Sequence, residues 1–452
     1  MSAPARNRPP TKVVAASTAG TVVEWYDFFI YATAATLVFP ALFFPQAGSQ
    51  LAGILAALGT YAVGFVARPV GGIVFGHYGD KLGRKQLLQI SLLIIGVATF
   101  LIGLLPTYGQ VGVWAPILLV VLRFAQGFAL GGEWGGAVLL VSEHGSRESR
   151  GLWASFPQAA VPAGNILATG VLALLSVTLT QEAFLSWGWR IAFLASAVLV
   201  VIGYVIRTRI EDAPVFRETI AKVAAEEQEH APLREVLREY PRQLLVAMGL
   251  RISENTQYYM VVSFSITYLT VVVGVPSGQI LGLLLVAHVV HLFAVPFAGF
   301  LSDRVGRKPV IGFGIGLAAV WGVVAWQVFE TNQRLAITVV LVGGLLAHAC
   351  MYGPQAAFLS EMFPTRMRYT GISVGHQVAS ILAGALAPIL AGILLAVYGN
   401  WFGIAAYLVV AASISAVALY HSRETRGLDY AELDRRTGHG ADVPSVAGRP
   451  VS

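Results

Sequence analysis

GHYGDKLGRK, residues 76–85, returns as GFLSDRVGRK at residues 299–308. Asp80 and Asp303 stand 223 positions apart, close to half of the 452-residue chain. A second pair keeps nearly the same offset: SEHGSRESRG starts at Ser142 and SEMFPTRMRYTG at Ser360, 218 positions apart. Farther in, Gln158 and Gln377 are 219 apart. Matched motifs at nearly one offset mark two related halves in parallel repeat.

Each copy of the motif is flanked by long apolar runs. Hydrophobic residues make up 56% of the chain and charged ones only 12%, where a soluble protein carries about a quarter charged. Mean hydropathy is +0.69. Apolar runs fall at about 13–40, 51–76, 86–106, 113–142, 151–180 and 187–208. They resume at about 243–273, 279–302, 309–329, 335–362, 370–397 and 401–421. Each is long enough to cross about 30 Å of hydrocarbon as a helix. Only helices or closed barrels cross without stranding backbone polar groups in lipid, and continuous runs instead of alternating ten-residue segments exclude the barrel. The expectation is an all-α membrane protein of twelve transmembrane helices in two pseudo-symmetric six-helix bundles, 13–208 and 243–421. A central loop (209–242) and tails (1–12 and 422–452) complete the chain. In transporters with such repeats the substrate site lies at the interface near the bilayer midplane, and the halves rock about it.

Orientation follows from the basic residues. Alternate loops carry Lys81, Arg84 and Lys85; Arg147 and Arg150; Arg304, Arg307 and Lys308; and Arg366 and Arg368, with more between Arg207 and Arg242. Only Arg190 and Arg334 lie near the opposite side, and Arg68, Arg123 and Arg251 fall within spans. Both termini and the central loop are therefore expected in the cytoplasm. The net charge of +6 reflects this one-sidedness and is no nucleic-acid signal. Residues 1–11 precede an apolar segment with no small-residue cleavage site, so the first helix reads as retained. The central loop reads as a solvated linker with a short surface helix, and the tail after His421 as disordered at its end. The single cysteine, Cys350, can form no internal disulfide.

The Gly-x-x-x-Asp-Lys/Arg-x-Gly-Arg-Lys pattern resembles the hallmark loop of the major facilitator superfamily. VEWYDFFIYA (23–32), ARPVGGIVFGHYGDKLGRK, RFAQGFALGGEWGGA and LSWGWRIAFL are similar to its metabolite:proton symporter branch, which includes carriers of shikimate, α-ketoglutarate, citrate and proline/betaine. RISENTQYY and GHQVASILAG look most like the shikimate carriers. The resemblance implies a state-dependent cytoplasmic gate at Asp80, Arg84, Lys85, Asp303 and Arg307. Glu143, Glu361, Arg150 and Arg366 are the gate's candidates on the same side. The alternative is a static inside-positive loop.

Charges inside the spans carry the functional argument: Glu24, Asp27, Arg68, Arg123, Glu133, Arg251 and Glu254. A charge at the bilayer centre costs about 2.5–3.5 kcal/mol on insertion scales, so such residues pair or line a wet path. Glu24 and Asp27, three apart, share one helix face. Two close carboxylates resist ionising together, which suits one of them to carrying a proton; an ion pair with Arg68 or Arg123 is the alternative. Arg251 and Glu254 repeat the spacing in the seventh span, where protonating Glu254 would free Arg251 for an anion. Self-pairing without substrate contact stays open. Arg123 suits a carboxylate through its planar fork, or a structural bond to backbone carbonyls. Gly127, Gly131 and Gly135, with Gly132 and Gly136, are spaced by four, as close helix packing requires. Glu133 within that stretch is a secondary proton candidate.

Tyr26, Tyr31, Gln158, Asn165, Gln257, Tyr258, His348, Tyr352, His376 and Gln377 lie at mid-depth, as pocket residues or as interhelical hydrogen-bond partners. His288 and His291 have no carboxylate or cysteine within their own segment, so no metal site is expected, and Arg190 suits an interfacial anchor. No Walker loop occurs, and the soluble segments are too short for an active site. An enzyme is not expected. The expectation is a secondary active symporter, driven by the proton gradient without a cofactor and functional as a monomer. It would import a small polar metabolite, a shikimate-like hydroxy acid first among carboxylates. Uniport, efflux antiport and osmolyte symport remain as alternatives.

Overall fold

The computed structural model describes residues 11–82, 84–131, 148–211 and 233–428, with 430, 432 and 434, several of them by backbone alone. No strand occurs among the described residues. Among them, nine helices are long and apolar enough to cross a membrane. In chain order the spans are α1 (Thr11–Leu37), α2 (Gln50–Leu82), α3 (Arg84–Leu104), α4 (Trp114–Leu130), α5 (Arg150–Thr178) and α6 (Gln181–Val205). The second set is α7 (Pro241–Val273), α8 (Ser277–Val305), α9 (Arg307–Glu330), α10 (Arg334–Ser360), α11 (Thr370–Tyr398) and α12 (Phe402–His421). Here α1, α3 and α4 complete the twelve-helix fold. Residues 132–147, with Glu133 and Glu143, lie outside the described residues, as do the side chains of Asp80, Arg84, Lys85 and Arg366.

The loops expected between α2 and α3 and between α8 and α9 are mostly helix. Asp303 and Arg307 lie on two helices separated by Gly306 alone, whose φ of 114° is open to glycine and strained for residues with a Cβ. The motif is thus a corner that aims its charges. Proline interrupts α2 at Pro69, α5 at Pro157 and Pro162, α8 at Pro296 and α10 at Pro354. Helix-breaking residues are tolerated where neighbouring helices satisfy the freed carbonyls.

The halves meet where α5 packs on α8 and α10, and α2 on α11. Small residues allow close approaches within the first half as well. A Cβ on Gly164 of α5 would lie 2.6 Å from the Trp25 Cβ of α1. Gly127 of α4 and Gly131 just past its end press against the backbone of α2 at Gly64 and Arg68, which is the packing role their spacing suggested. Over its apolar 18-residue stretch α7 is 78% buried, against 39–56% for the other eight spans. α7 is therefore the central helix of its half, although its sequence is among the most polar.

Candidate functional site

Polar residues crowd one stretch of α7: Arg251, Ser253, Glu254, Asn255, Thr256 and Gln257 are all buried. Glu254 lies thirteen residues beyond Pro241, about 20 Å along the helix at 1.5 Å per residue. Buried charges at that depth need partners, and three helices supply them. Arg251 Nη1 reaches Glu254 Oε2 at 3.0 Å and also donates to Gln355 Oε1 of α10. Its Nη2 approaches Ser380 Oγ of α11 at 3.5 Å. With its amide oxygen toward Arg251, Asn255 accepts from Nη2 at 2.8 Å and Nε at 3.1 Å. The other carboxylate oxygen, Glu254 Oε1, lies 2.9 Å from His348 Nε2. His348 Nδ1 lies 2.9 Å from His291 Nε2.

This cluster faces a cavity of about 20 Å³ between the halves, lined by Trp25, Arg68, Val161, Arg251, Glu254, Asn255, Tyr258, Tyr259, His348, Tyr352, His376 and Ser380. That is room for about one water, so this conformation is closed around its centre. Asn165 Nδ2 of α5 donates to Tyr258 Oη at 3.0 Å, and Gln158 Nε2 to the Tyr352 carbonyl at 3.4 Å. Both bonds cross from one half to the other. Arg68 reaches the cavity over the rings of Phe28 and Phe65, each 4.6 Å from its guanidinium carbon.

The first half holds a second buried cluster away from the cavity. Asp27 Oδ1 accepts from Ser196 Oγ at 2.6 Å. Arg123 donates to Gln126 Oε1 at 3.0 Å and lies 4.4–4.5 Å from the rings of Phe28, Tyr31 and Tyr61. Among the described residues neither Arg68 nor Arg123 forms an ion pair with a carboxylate. The aromatic rings take that place, as cation–π partners do in desolvated sites. Tyr26 Oη donates to the Ala192 carbonyl at 2.6 Å, and Tyr31 Oη bonds Thr60 Oγ1 at 2.6 Å; both are occupied within their half. Gln257 donates to the Gly344 carbonyl at 3.3 Å. Glu24 is buried on the Asp27 helix face, and neither it nor Gln377 lines the cavity.

Of the sequence candidates, Arg68, Arg251, Glu254, Tyr258, His348, Tyr352 and His376 come together at the cavity. Trp25, Asn255, Tyr259 and Ser380 join them without having been singled out. Asn255 and Tyr259 belong to the quoted RISENTQYY run, and Ser380 follows His376 by one helical turn, so proximity to chosen residues was their signal.

A third network closes the end of the bundle that carries the repeated motif. Asp303 of α8 caps the N-terminus of α5 in the other half, accepting from the amides of Gly151 (2.9 Å) and Leu152 (2.8 Å), where the helix dipole favours a carboxylate. Arg307 Nη1 donates to Asp303 Oδ1 at 2.6 Å. Glu361 accepts from Arg307 Nη2 at 3.2 Å and, across the halves, from Arg150 Nη1 at 3.0 Å.

The segment after α12, read from sequence as tail, joins this network through residues 422–428 and Tyr430. Thr425 Oγ1 donates to Glu361 Oε2, and Arg150 donates to the Leu428 carbonyl at 3.2 Å. The Tyr430 ring lies between Arg150 and Arg368, at 3.9 and 3.6 Å. Glu424 accepts from the amides of Arg307 and Lys308, each at 2.9 Å. Burial raises its carboxyl pKa, but backbone N–H bonds from Arg307, Lys308, Arg426 and Thr425 outweigh that and hold it below the ordinary value.

A sequence profile of the Sugar (and other) transporter family matches residues 12–224 and 216–436. The chain is 41% identical to the inner membrane metabolite transport protein YhjE of Escherichia coli (strain K12), over 92% of this chain and 94% of that protein. It is 39% identical to the shikimate transporter of the same organism, over 89% and 92%. Identity to that organism's proline/betaine transporter is 34%, over 92% and 83%. The solved proton:xylose symporter XylE shares the fold, with TM-score 0.71, 17% identity, and 94% and 98% of the two chains covered. Repeat, helices and relatives agree: the chain belongs to the Sugar (and other) transporter family and is a metabolite transporter of the major facilitator superfamily.

Proposed function

We propose that the protein is a proton-coupled symporter that imports a small carboxylated metabolite across the inner membrane by alternating access. It would act as a monomer, without a cofactor. The observation that carries this reading is the buried Arg251–Glu254 pair at a cavity between two halves. While Glu254 is ionised it holds Arg251; once protonated it releases the guanidinium, whose planar fork suits a carboxylate. Substrate and proton would thus bind together. Asp27 and Glu24 are proposed as the carboxylates of the first half that respond to protonation, with Arg123 poised in its aromatic box. The network around Asp303, Arg307, Glu361 and Arg150 is proposed as the gate, facing the cytoplasm with both termini on that side, as the basic residues favour.

A second reading has its own support. Trp25, Tyr258, Tyr259 and Tyr352 stand beside Arg251 and Glu254. Such a wall suits a quaternary ammonium, and a relative carries proline/betaine. A zwitterionic osmolyte would set its carboxylate on Arg251 and its cation among the rings.

The test is uptake into right-side-out vesicles with an acidic exterior, using labelled shikimate, α-ketoglutarate, proline and glycine betaine. A symporter accumulates one of them above equilibrium and loses that accumulation with an uncoupler. Mere equilibration would assign uniport, and acid-driven loss would assign antiport; either would end the symport reading.

A further inference from the structure

We propose that His291, His348 and Glu254 form one proton wire running from α8 through α10 to α7, whose loading at His291 releases Arg251. The proposal rests on the proton-symport reading and identifies the groups that carry the proton in the second half. Sequence offered His348 as a pocket residue or hydrogen-bond partner and weighed His291 only against a metal site; their pairing was not legible, because they are 57 positions apart on different helices.

The chemistry follows from two hydrogen bonds of 2.9 Å in series. Each contains one proton, so the tautomers are linked. With Glu254 ionised and paired to Arg251, His348 must donate from Nε2 to Glu254 Oε1. A neutral His348 then has its lone pair on Nδ1, and His291 must donate to it from Nε2. That leaves the lone pair on the buried His291 Nδ1, and this atom has no hydrogen-bond partner among the described residues.

A proton arriving there sets off a balanced shift. It bonds to His291 Nδ1; the His291 Nε2 proton moves to His348 Nδ1; the His348 Nε2 proton moves to Glu254 Oε1. One proton has been taken up, both imidazoles are neutral before and after, and both have exchanged tautomers. The only charge that changes is that of Glu254, the group that holds Arg251.

The surroundings suit a wire that adds no resting cation. Arg251 of α7 and Arg68 of α2 already line the cavity with His348, as do His376 and Ser380 of α11 and Trp25 of α1. The Tyr258 ring lies 4.6 Å from His348 and 6.0 Å from His291, its hydroxyl held by Asn165 of α5. Tyr352 of α10 lies 4.8 Å from His348. His288, one turn along α8, is 6.2 Å from His291 and is buried, with no hydrogen-bond partner among the described residues. It is the next titratable group beyond the wire.

The test needs no substrate. Full-length protein labelled with 15N-histidine is reconstituted in phosphatidylethanolamine/phosphatidylglycerol bilayers and followed by solid-state 15N NMR as pH is lowered. Signals lost in His291→Gln and His348→Gln identify the two rings. Both are expected to exchange between neutral tautomers in a single common transition, and Glu254→Gln is expected to abolish it. If that variant does not fold, Glu254→Asp, one methylene short of His348, is expected to do the same. An imidazolium on either ring during that transition, independent transitions, or a swap that survives loss of the carboxylate would overturn the wire. A tautomer swap in a protein that drives no proton-coupled uptake supports the wire and overturns the symport reading. Coupled uptake without the swap does the reverse.

Discussion

Replacing Glu361 by Gln tests whether the motif-end network is what holds this conformation closed. Glu361 is 1% exposed and accepts from Arg150 at 3.0 Å, from Arg307 at 3.2 and 3.3 Å, and from Thr425. Removing one member of a buried ion pair costs about 3–5 kcal/mol, because the partner's charge is left uncompensated. The lower end applies here, since Asp303 still neutralises Arg307 at 2.6 Å while Arg150 loses its carboxylate. A loss of about 3 kcal/mol confined to the closed state moves the closed-to-open ratio about a hundredfold, at 1.4 kcal/mol per factor of ten. Spin labels on Glu148→Cys and Val305→Cys, in a Cys350→Ser background, report the opening at that end by electron–electron distance measurement. The parent is expected to show a short distance and E361Q a dominant longer one. A folded E361Q protein with the parent's distance distribution would refute the argument that this carboxylate locks the halves.

Three further outcomes follow from the same geometry. Glu254→Gln and Asp27→Asn are each expected to abolish accumulation against a gradient in the vesicle assay while leaving exchange of preloaded substrate; unchanged acid-driven accumulation would remove that carboxylate from the proton path. The Glu424 carboxyl is held below its ordinary value, so its contribution is complete above that value and disappears as pH falls through the depressed one. Limited proteolysis of the tail should stay slow down through the ordinary carboxylate range and quicken below it, and in Glu424→Gln this pH step should vanish. Gly164→Val adds side chain where even a Cβ would lie 2.6 Å from Trp25; overpacking of this kind costs about 1–3 kcal/mol, and thermal unfolding in detergent is expected to shift down, whereas an unchanged midpoint would mean that α1 and α5 yield.

The fold was legible because its rules act on runs of residues. Repeated apolar segments, one-sided basic residues and a motif returning after 223 positions define twelve helices in two halves without any contact being known. Part of the site was legible for the same reason: Arg251 and Glu254 stand out because nothing but function or pairing keeps charge in an apolar helix. Pairing between helices was not legible. His348 and Glu254 are 94 positions apart, and no spacing rule links them. Asp27 bonds a serine of α6, and Arg123 is surrounded by rings, because a buried guanidinium can be stabilised by aromatic faces that look like ordinary core in a sequence. The short segment after α12 carried no signal beyond mixed charge, yet Glu424 finds two free amides at the start of α9.

That short overhang offers this chain a control point remote from the cavity. Residues 422–428 touch both halves through Arg150 and Glu361 while lying outside every span. On the proposed alternating-access cycle, substitutions there would lengthen or shorten the dwell in one state without reaching the proposed substrate chamber. Swapping this stretch between relatives of different selectivity should therefore transplant turnover tempo and leave preference with the recipient.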